Sequence, residues 1–155
     1  MRVTGRVDSV AGDTLQILGI TITTDFVKTR FEDKFADVDP FRIGDINTDD
    51  YLEVRGQELP VGEIFAVLLE RDDPRVETEL RGFVEAAGVN RPSLTVLGVT
   101  IQTDAATSFK DANEIEFPTE DDFWAVVIEG SLIDVKGTET GAQTLLVEEV
   151  ELEME

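Results

Sequence analysis

The sequence contains no cysteine and no histidine. Disulfides, thiolate nucleophiles, imidazole bases and the usual zinc or copper ligand sets are thereby excluded together. No apolar run approaches the ~18 to 20 residues that span a bilayer as a helix, so no membrane span is expected. Bases are scarce: thirteen Lys and Arg stand against 34 Asp and Glu, a net charge of −21. Residues 1–76 hold 16 acids and 9 bases, net −7, and residues 77–155 hold 18 acids and 4 bases, net −14. Such a field repels phosphate backbones and anionic lipids and attracts divalent cations or basic partners. Nucleic acid is therefore not expected as a ligand. The chain opens Met1-Arg2-Val3 straight into a strand-like pattern, without the charged, apolar and cleavage-site succession of a signal peptide. It reads as cytoplasmic or as a mature segment behind a start Met.

What is present is a repeat. Val3-Thr4-Gly5-Arg6-Val7-Asp8 matches Leu80-Arg81-Gly82-Phe83-Val84-Glu85 in pattern. Residues 14–25, TLQILGITITTD, lie over residues 93–104, SLTVLGVTIQTD. Thr29-Arg30-Phe31-Glu32-Asp33 pairs with Thr107-Ser108-Phe109-Lys110-Asp111, and Leu52-Glu53-Val54-Arg55-Gly56 pairs with Ile133-Asp134-Val135-Lys136-Gly137. Ile64, Ala66, Leu69 and Glu70 fall over Leu145, Val147, Val150 and Glu151. The blocks keep their order, and the offset changes only between them, where loops tolerate insertion.

Within each copy apolar residues alternate with period two, the mark of strands with one buried face. The parity flips across Leu18-Gly19 and again across Leu97-Gly98, which requires a tight turn or a bulge. The expected fold is all-β: two tandem, small, five-stranded OB-like barrels, each with a long connection after the third strand that has room for a short helix. A differently wound barrel or sandwich is the alternative. The boundaries fall at 1–71 for the first module, 72–78 for a linker and 79–155 for the second, with the proline-bearing Arg71-Asp72-Asp73-Pro74-Arg75 as the natural joint.

The pattern Gly-x-Val, then Thr-Leu-x-Val-Leu-Gly-Val-Thr-Ile-x-Thr-Asp, then Thr-x-Phe-x-Asp, then Leu-x-Val-x-Gly resembles the bacterial domain of unknown function family 5666. The resemblance implies a small β module, often repeated and often exported, so a periplasmic or extracellular location, and it brings no ligand residues with it. Members carry Gly-Asp-x-Val-Glu-Val before the fourth strand. Here Gly44-Asp45 is separated from Tyr51-Leu52-Glu53-Val54, and the second copy keeps Gly130 without an acid directly after it.

Two acidic stretches invite a chemical reading. Asp45, Asn47 and Asp49 place oxygens at alternate positions, the spacing of a calcium loop, with Asp37 and Asp39 as further donors. Asp50 stands where the EF-hand glycine belongs and Gly56 where the closing Glu belongs, so the plainer reading is an acidic turn whose side chains cap backbone groups. The second stretch, residues 111–122, holds Asp111, Glu114, Glu116, Glu120, Asp121 and Asp122. Paired carboxylates suit glycoside hydrolysis, yet nothing singles out a pair, and no serine elbow or phosphate-binding loop occurs, so no enzymatic activity is expected. Trp124 and Tyr51 suit either a sugar or peptide platform or a place in the core. The functional expectation is a non-enzymatic binding or structural module of the bacterial cell envelope or exterior, with a protein, a glycan or a divalent cation as partner. A calcium-stabilised acidic spacer is the alternative, ahead of a carboxylate-based hydrolase or an OB-type nucleic-acid binder.

Overall fold

The computed structural model describes residues 1–60 and 62–153. Among the described residues twelve strands and one helix follow the repeat. In the first copy these are β1 (Arg2–Ala11), β2 (Thr14–Ile17), β3 (Ile20–Thr23), β4 (Arg30–Asp33), β5 (Tyr51–Leu59) and β6 (Glu63–Asp72), with a 3-10 turn at Ile43–Asp45. In the second they are β7 (Thr78–Asn90), β8 (Ser93–Val96), β9 (Val99–Gln102), β10 (Ser108–Lys110), the helix α1 (Glu120–Val126), β11 (Leu132–Gly141) and β12 (Thr144–Leu152).

Five strands of each copy close a barrel. The first runs β1-β2-β3-β6-β5 and back to β1, with β3 and β6 parallel and every other pair antiparallel. The second runs β7-β8-β9-β12-β11 and back to β7 in the same pattern. Numbering the five barrel strands of either copy in chain order gives 1-2-3-5-4, the OB arrangement. The alternating residues Val3, Val7, Leu15, Ile17, Ile20, Ile22, Leu52 and Val54 all point into the core.

The parity flips are tight turns. Leu18 and Gly19 sit at φ 55° and 73°, and Leu97 and Gly98 at 51° and 76°. Two consecutive left-handed residues match the twist of a two-residue hairpin, and glycine takes the second position without steric cost. Asp8 accepts the Gly19 amide at 3.1 Å and Glu85 accepts the Gly98 amide at 3.0 Å. The acid that closes the first strand motif thus tethers the turn across the sheet. Gly56 and Gly137 mark register shifts where β5 and β11 cross their partners. A Cβ there would run into the carbonyl of Phe65 or Leu146.

The two barrels share a sheet. β1 pairs antiparallel with β7 through Arg2↔Arg81, Val3↔Leu80 and Thr4↔Glu79. Val3 and Leu80 are matched positions of the repeat, so a local two-fold axis passes through that pair. The buried apolar residues of both barrels form one cluster. Arg2 bridges to Glu79 and, at 2.8 Å, to Asp134, while the Tyr51 hydroxyl donates to the Glu77 carbonyl at 2.6 Å. β6 runs on through Asp72 and β7 starts at Thr78, which leaves 73–77 as the joint and puts Arg71 inside a strand. No helix among the described residues is long and apolar enough to cross a membrane.

Candidate functional site

The side chains that recur in both copies are taken up by the fold. Thr24 and Thr103 donate to the carbonyls of Asp13 and Pro92 at 2.7 Å each. Thr29 and Thr107 donate to Ala66 and Val147 on the neighbouring strand, at 2.7 and 2.8 Å, and each accepts an amide from the Asp four or three residues before it. Asp25 and Asp104 cap the turns that follow them. Motif residues are therefore fixtures of the barrel, and the copies differ most in the connections 26–50 and 105–131.

In the first connection Arg71 is the hub. The residue is 6% exposed, and its guanidinium forms a two-pronged pair with Asp33, Nε to Oδ1 at 3.0 Å and NH2 to Oδ2 at 2.7 Å. It also reaches the Asp45 carbonyl and the Asp50 carboxylate at 3.1 Å each and lies over the Phe41 ring at 4.7 Å. Asp33 in turn accepts the amides of Phe35, Ala36 and Val38. The Arg71 bond, with those amides behind it, holds the Asp33 carboxyl well below the usual carboxylate range, and Asp33 holds the Arg71 guanidinium above its own. Arg71 was not legible as a site residue because it sits in a polar run that reads as a linker. The clue is that its counterpart in the second copy, Leu152, continues a strand.

Asp45, Asn47 and Asp49 lie in the turn that leads from the 3-10 segment into β5. The Asp45 carboxylate accepts the Arg42 amide at 2.9 Å, and the Asn47 amide donates to Asp50 at 2.8 Å. Asp49 is at φ 73° with its amide on the Val7 carbonyl. The second copy makes the same turn with Ile128, Gly130 and Ser131: Gly130 is at φ 84° with its amide on Val84, and Ser131 Oγ accepts the Ile128 amide at 3.0 Å. Asn47 and Asp49 thus stand where the other copy uses Ile and Gly, which makes them turn residues first. Among the described residues no three acidic side chains come together in a way that would hold a metal ion, and the carbonyl and carboxylate facing inward from this turn are engaged by Arg71.

Aromatic packing closes the second connection. Phe123 of α1 is fully buried, 4.6 Å from Phe109 between ring centres, with Phe117 and Trp124 edge-on to it at 5.7 and 5.3 Å. Asp122 caps α1 through Thr119, Asp111 caps the amides of Asn113 and Ile115, and Arg91 pairs with Glu120 and Asp121. The acids of 111–122 are thus spread over separate tasks. Trp124 and Tyr51 both go to packing, Tyr51 at 2% exposure beneath Arg75.

The connections also differ at the outer edge of the short parallel strands β4 and β10. On β10 that edge is paired by the chain folding back: Lys110 bridges Glu116, the Asp111 amide donates to Ile115 and the Phe117 amide donates to Phe109, both at 2.9 Å. On β4 the matching groups of Phe31 and Asp33 have no backbone partner on that side among the described residues. The chain returns one residue later, with Val38 bonding Asp33 as Ile115 bonds Asp111. That register brings Pro40, which has no N–H, to the position of Phe117. A groove of about 520 Å³ opens between β4 and residues 37–42, lined by Phe31, Val38, Phe41, Arg42, Asp37 and Asp39.

A tandem pair of OB-type barrels with dissimilar connections is the class of protein these features define. The model of the domain of unknown function DUF5666 matches residues 4–70 and 81–151, and the chain belongs to that family as two tandem copies. Neither the curated proteins nor the solved structures yield a match.

Proposed function

We propose that the chain is a non-catalytic binding module of the bacterial cell envelope or exterior, in which two barrels joined along one seam hold their connections out to a partner. One observation carries this reading. Of the ten large apolar side chains left exposed among the described residues, seven lie in the two connections: Phe26, Val27, Phe35, Val38, Ile115, Val126 and Ile128. Scattered apolar residues need no explanation, but a concentration in the segments that vary between copies marks surface kept for contact. The envelope or exterior placement is supported by the sequence resemblance and by a cysteine-free composition suited to an oxidising compartment. With a net charge of −21, a basic protein partner would bind with strong salt dependence and an uncharged glycan with little. The reading as a calcium-held acidic spacer draws on the charge and on the alternate oxygens of Asp45, Asn47 and Asp49, which the fold also uses as turn residues.

The test is binding of the whole chain to arrays of bacterial glycans and of basic peptides. Serine replacements of Phe26 with Val27, and of Val126 with Ile128, should leave the melting temperature in place because all four are exposed. At least one pair should lower the signal tenfold. Array ligands that survive both pairs unchanged would sink this reading, as would turnover of an array substrate.

A further inference from the structure

We propose that the open edge of β4, with the groove beside it, takes up an extended basic peptide as an added strand. This inference rests on the binding-module reading and names its partner. The second copy shows what such an edge accepts, because β10 is covered there by its own residues 115–117 in antiparallel register. The first copy offers the same strand in the same register against the barrel, Phe31 on Leu69 as Phe109 on Val150, but its returning chain makes no backbone bond to that edge among the described residues. Counted on from the Val38–Asp33 bond, Pro40 is the counterpart of Phe117 but has no amide N–H to give, and it lines the groove instead. An unpaired strand edge is a template for another chain unless it is covered or blunted.

The surroundings specify the occupant. Phe31, Val38 and Phe41 give the groove an apolar wall, and Phe26 and Phe35 stand exposed close by in the chain. Its volume lies inside the ~300 to 1,000 Å³ range of ligand sites. At the rim, Asp37 and Asp39 are exposed and make no side-chain hydrogen bond or ion pair among the described residues, while Arg42 is stacked over Phe26 at 4.9 Å and Lys34 is paired with Glu70 at 3.1 Å. Arg42 has no acidic partner among the described residues, so the unpaired charges of Asp37, Asp39 and Arg42 leave the rim with a net negative charge, the sign of the field of the whole chain. An added strand that alternates apolar residues with lysine or arginine would set one row on the apolar wall and the other against Asp37 and Asp39. A second copy of this chain would bring another −21 to the same edge and is disfavoured.

The probe is a labelled seven-residue peptide alternating lysine with valine around a central phenylalanine, titrated into the full chain and followed by fluorescence anisotropy. A charge-matched version with proline at alternate positions keeps the charges but cannot form a ladder. The first peptide should bind, the proline version at least tenfold more weakly, and amide exchange should slow at Asp33 but not at Asp111. Pro40→Phe, which restores the closing N–H, should weaken binding at least tenfold while Trp124 fluorescence and the melting temperature stay unchanged. Should Pro40→Phe destabilise the fold, the paired change Asp37→Asn with Asp39→Asn should still lower affinity severalfold on an intact barrel.

Equal binding of both peptides, slowed exchange elsewhere, or no binding at all would overturn strand addition. So would concentration-dependent dimerisation that Pro40→Phe abolishes, which would assign the edge to a second copy. Array ligands that bind through the second connection while the peptide fails would leave the binding-module reading standing and remove only this one.

Discussion

In the first copy the span between the third and fourth barrel strands is tied down by one guanidinium beside the buried Phe41 and Ile46; in the second the same span is tied down by four aromatic rings. Arg71 gathers Asp33, Asp50 and the Asp45 carbonyl, whereas Phe109, Phe117, Phe123 and Trp124 pack on one another. Where Arg71 stands, the other strand carries Leu152. The barrel thus fixes only the ends of the connection and leaves open how its middle is filled. Ionic closure is directional and costs desolvation, so it fails when any one partner is lost. Aromatic closure is area-driven and degrades with the volume removed.

Phe123→Ala should give the largest loss, about 3 to 5 kcal/mol, from a buried ring at the centre of its cluster; urea unfolding followed by Trp124 fluorescence measures it. Arg71→Leu copies the second barrel's residue into the first and should cost about 3 kcal/mol, because Asp33 is left buried without its partner. Adding Asp33→Asn to Arg71→Leu should recover part of that loss, whereas simple additivity of the two changes would mean the pair is not a coupled unit.

Acid separates the two closures. Asp33 is held below its ordinary value by Arg71, so its contribution is present above about pH 4, the unfolded value, and is lost as pH falls below that. A melt taken toward pH 2 should lose this contribution in the native chain and not in the Arg71→Leu, Asp33→Asn variant. The seam carries the opposite sign. Burial, and then the negative charge of Glu79, push the Asp134 carboxyl up to about 7 despite Arg2 beside it. The folded chain keeps a proton there between about pH 4 and 7 that the unfolded chain releases, so this contribution is full below pH 4 and falls as pH rises to 7. Asp134→Asn should flatten the stability profile across that window, and an unchanged slope would contradict the shift.

The smallest expected effect is that of calcium. At matched ionic strength it should leave the melting temperature where sodium leaves it, since the Asp45–Asp50 turn is held from inside by Arg71. A calcium-specific rise of several degrees would instead make Asp45, Asn47 and Asp49 ligands and join the two connections as ion sites.

Much of this was legible in the residues. Period-two alternation gave the ten barrel strands, the Leu-Gly dipeptides called for a tight turn or a bulge, of which the turn is what forms, and the duplicated blocks gave the two-copy division. β4 and β10 were hidden, since strands of four and three residues beside a single neighbour show too little alternation to stand out. The Asp45–Asp49 spacing suggested a cation because alternate oxygens serve a turn and a calcium ion alike. The acidic turn was already the plainer reading, and the match to Ile128 and Gly130 supports it, a match that depends on knowing which amides meet Val7 and Val84. The seam between β1 and β7 was beyond reach, as no local pattern reports which strand edges meet across the chain.

That seam bears on ancestry. Matched strands meeting antiparallel about an axis through Val3 and Leu80 is the geometry by which two identical subunits associate in a closed pair. In a pair of identical subunits meeting this way each mutation would appear twice. Once both halves are joined in one polypeptide that constraint lifts, and one half can evolve an ionic hub and an open edge while the other retains a sealed aromatic one.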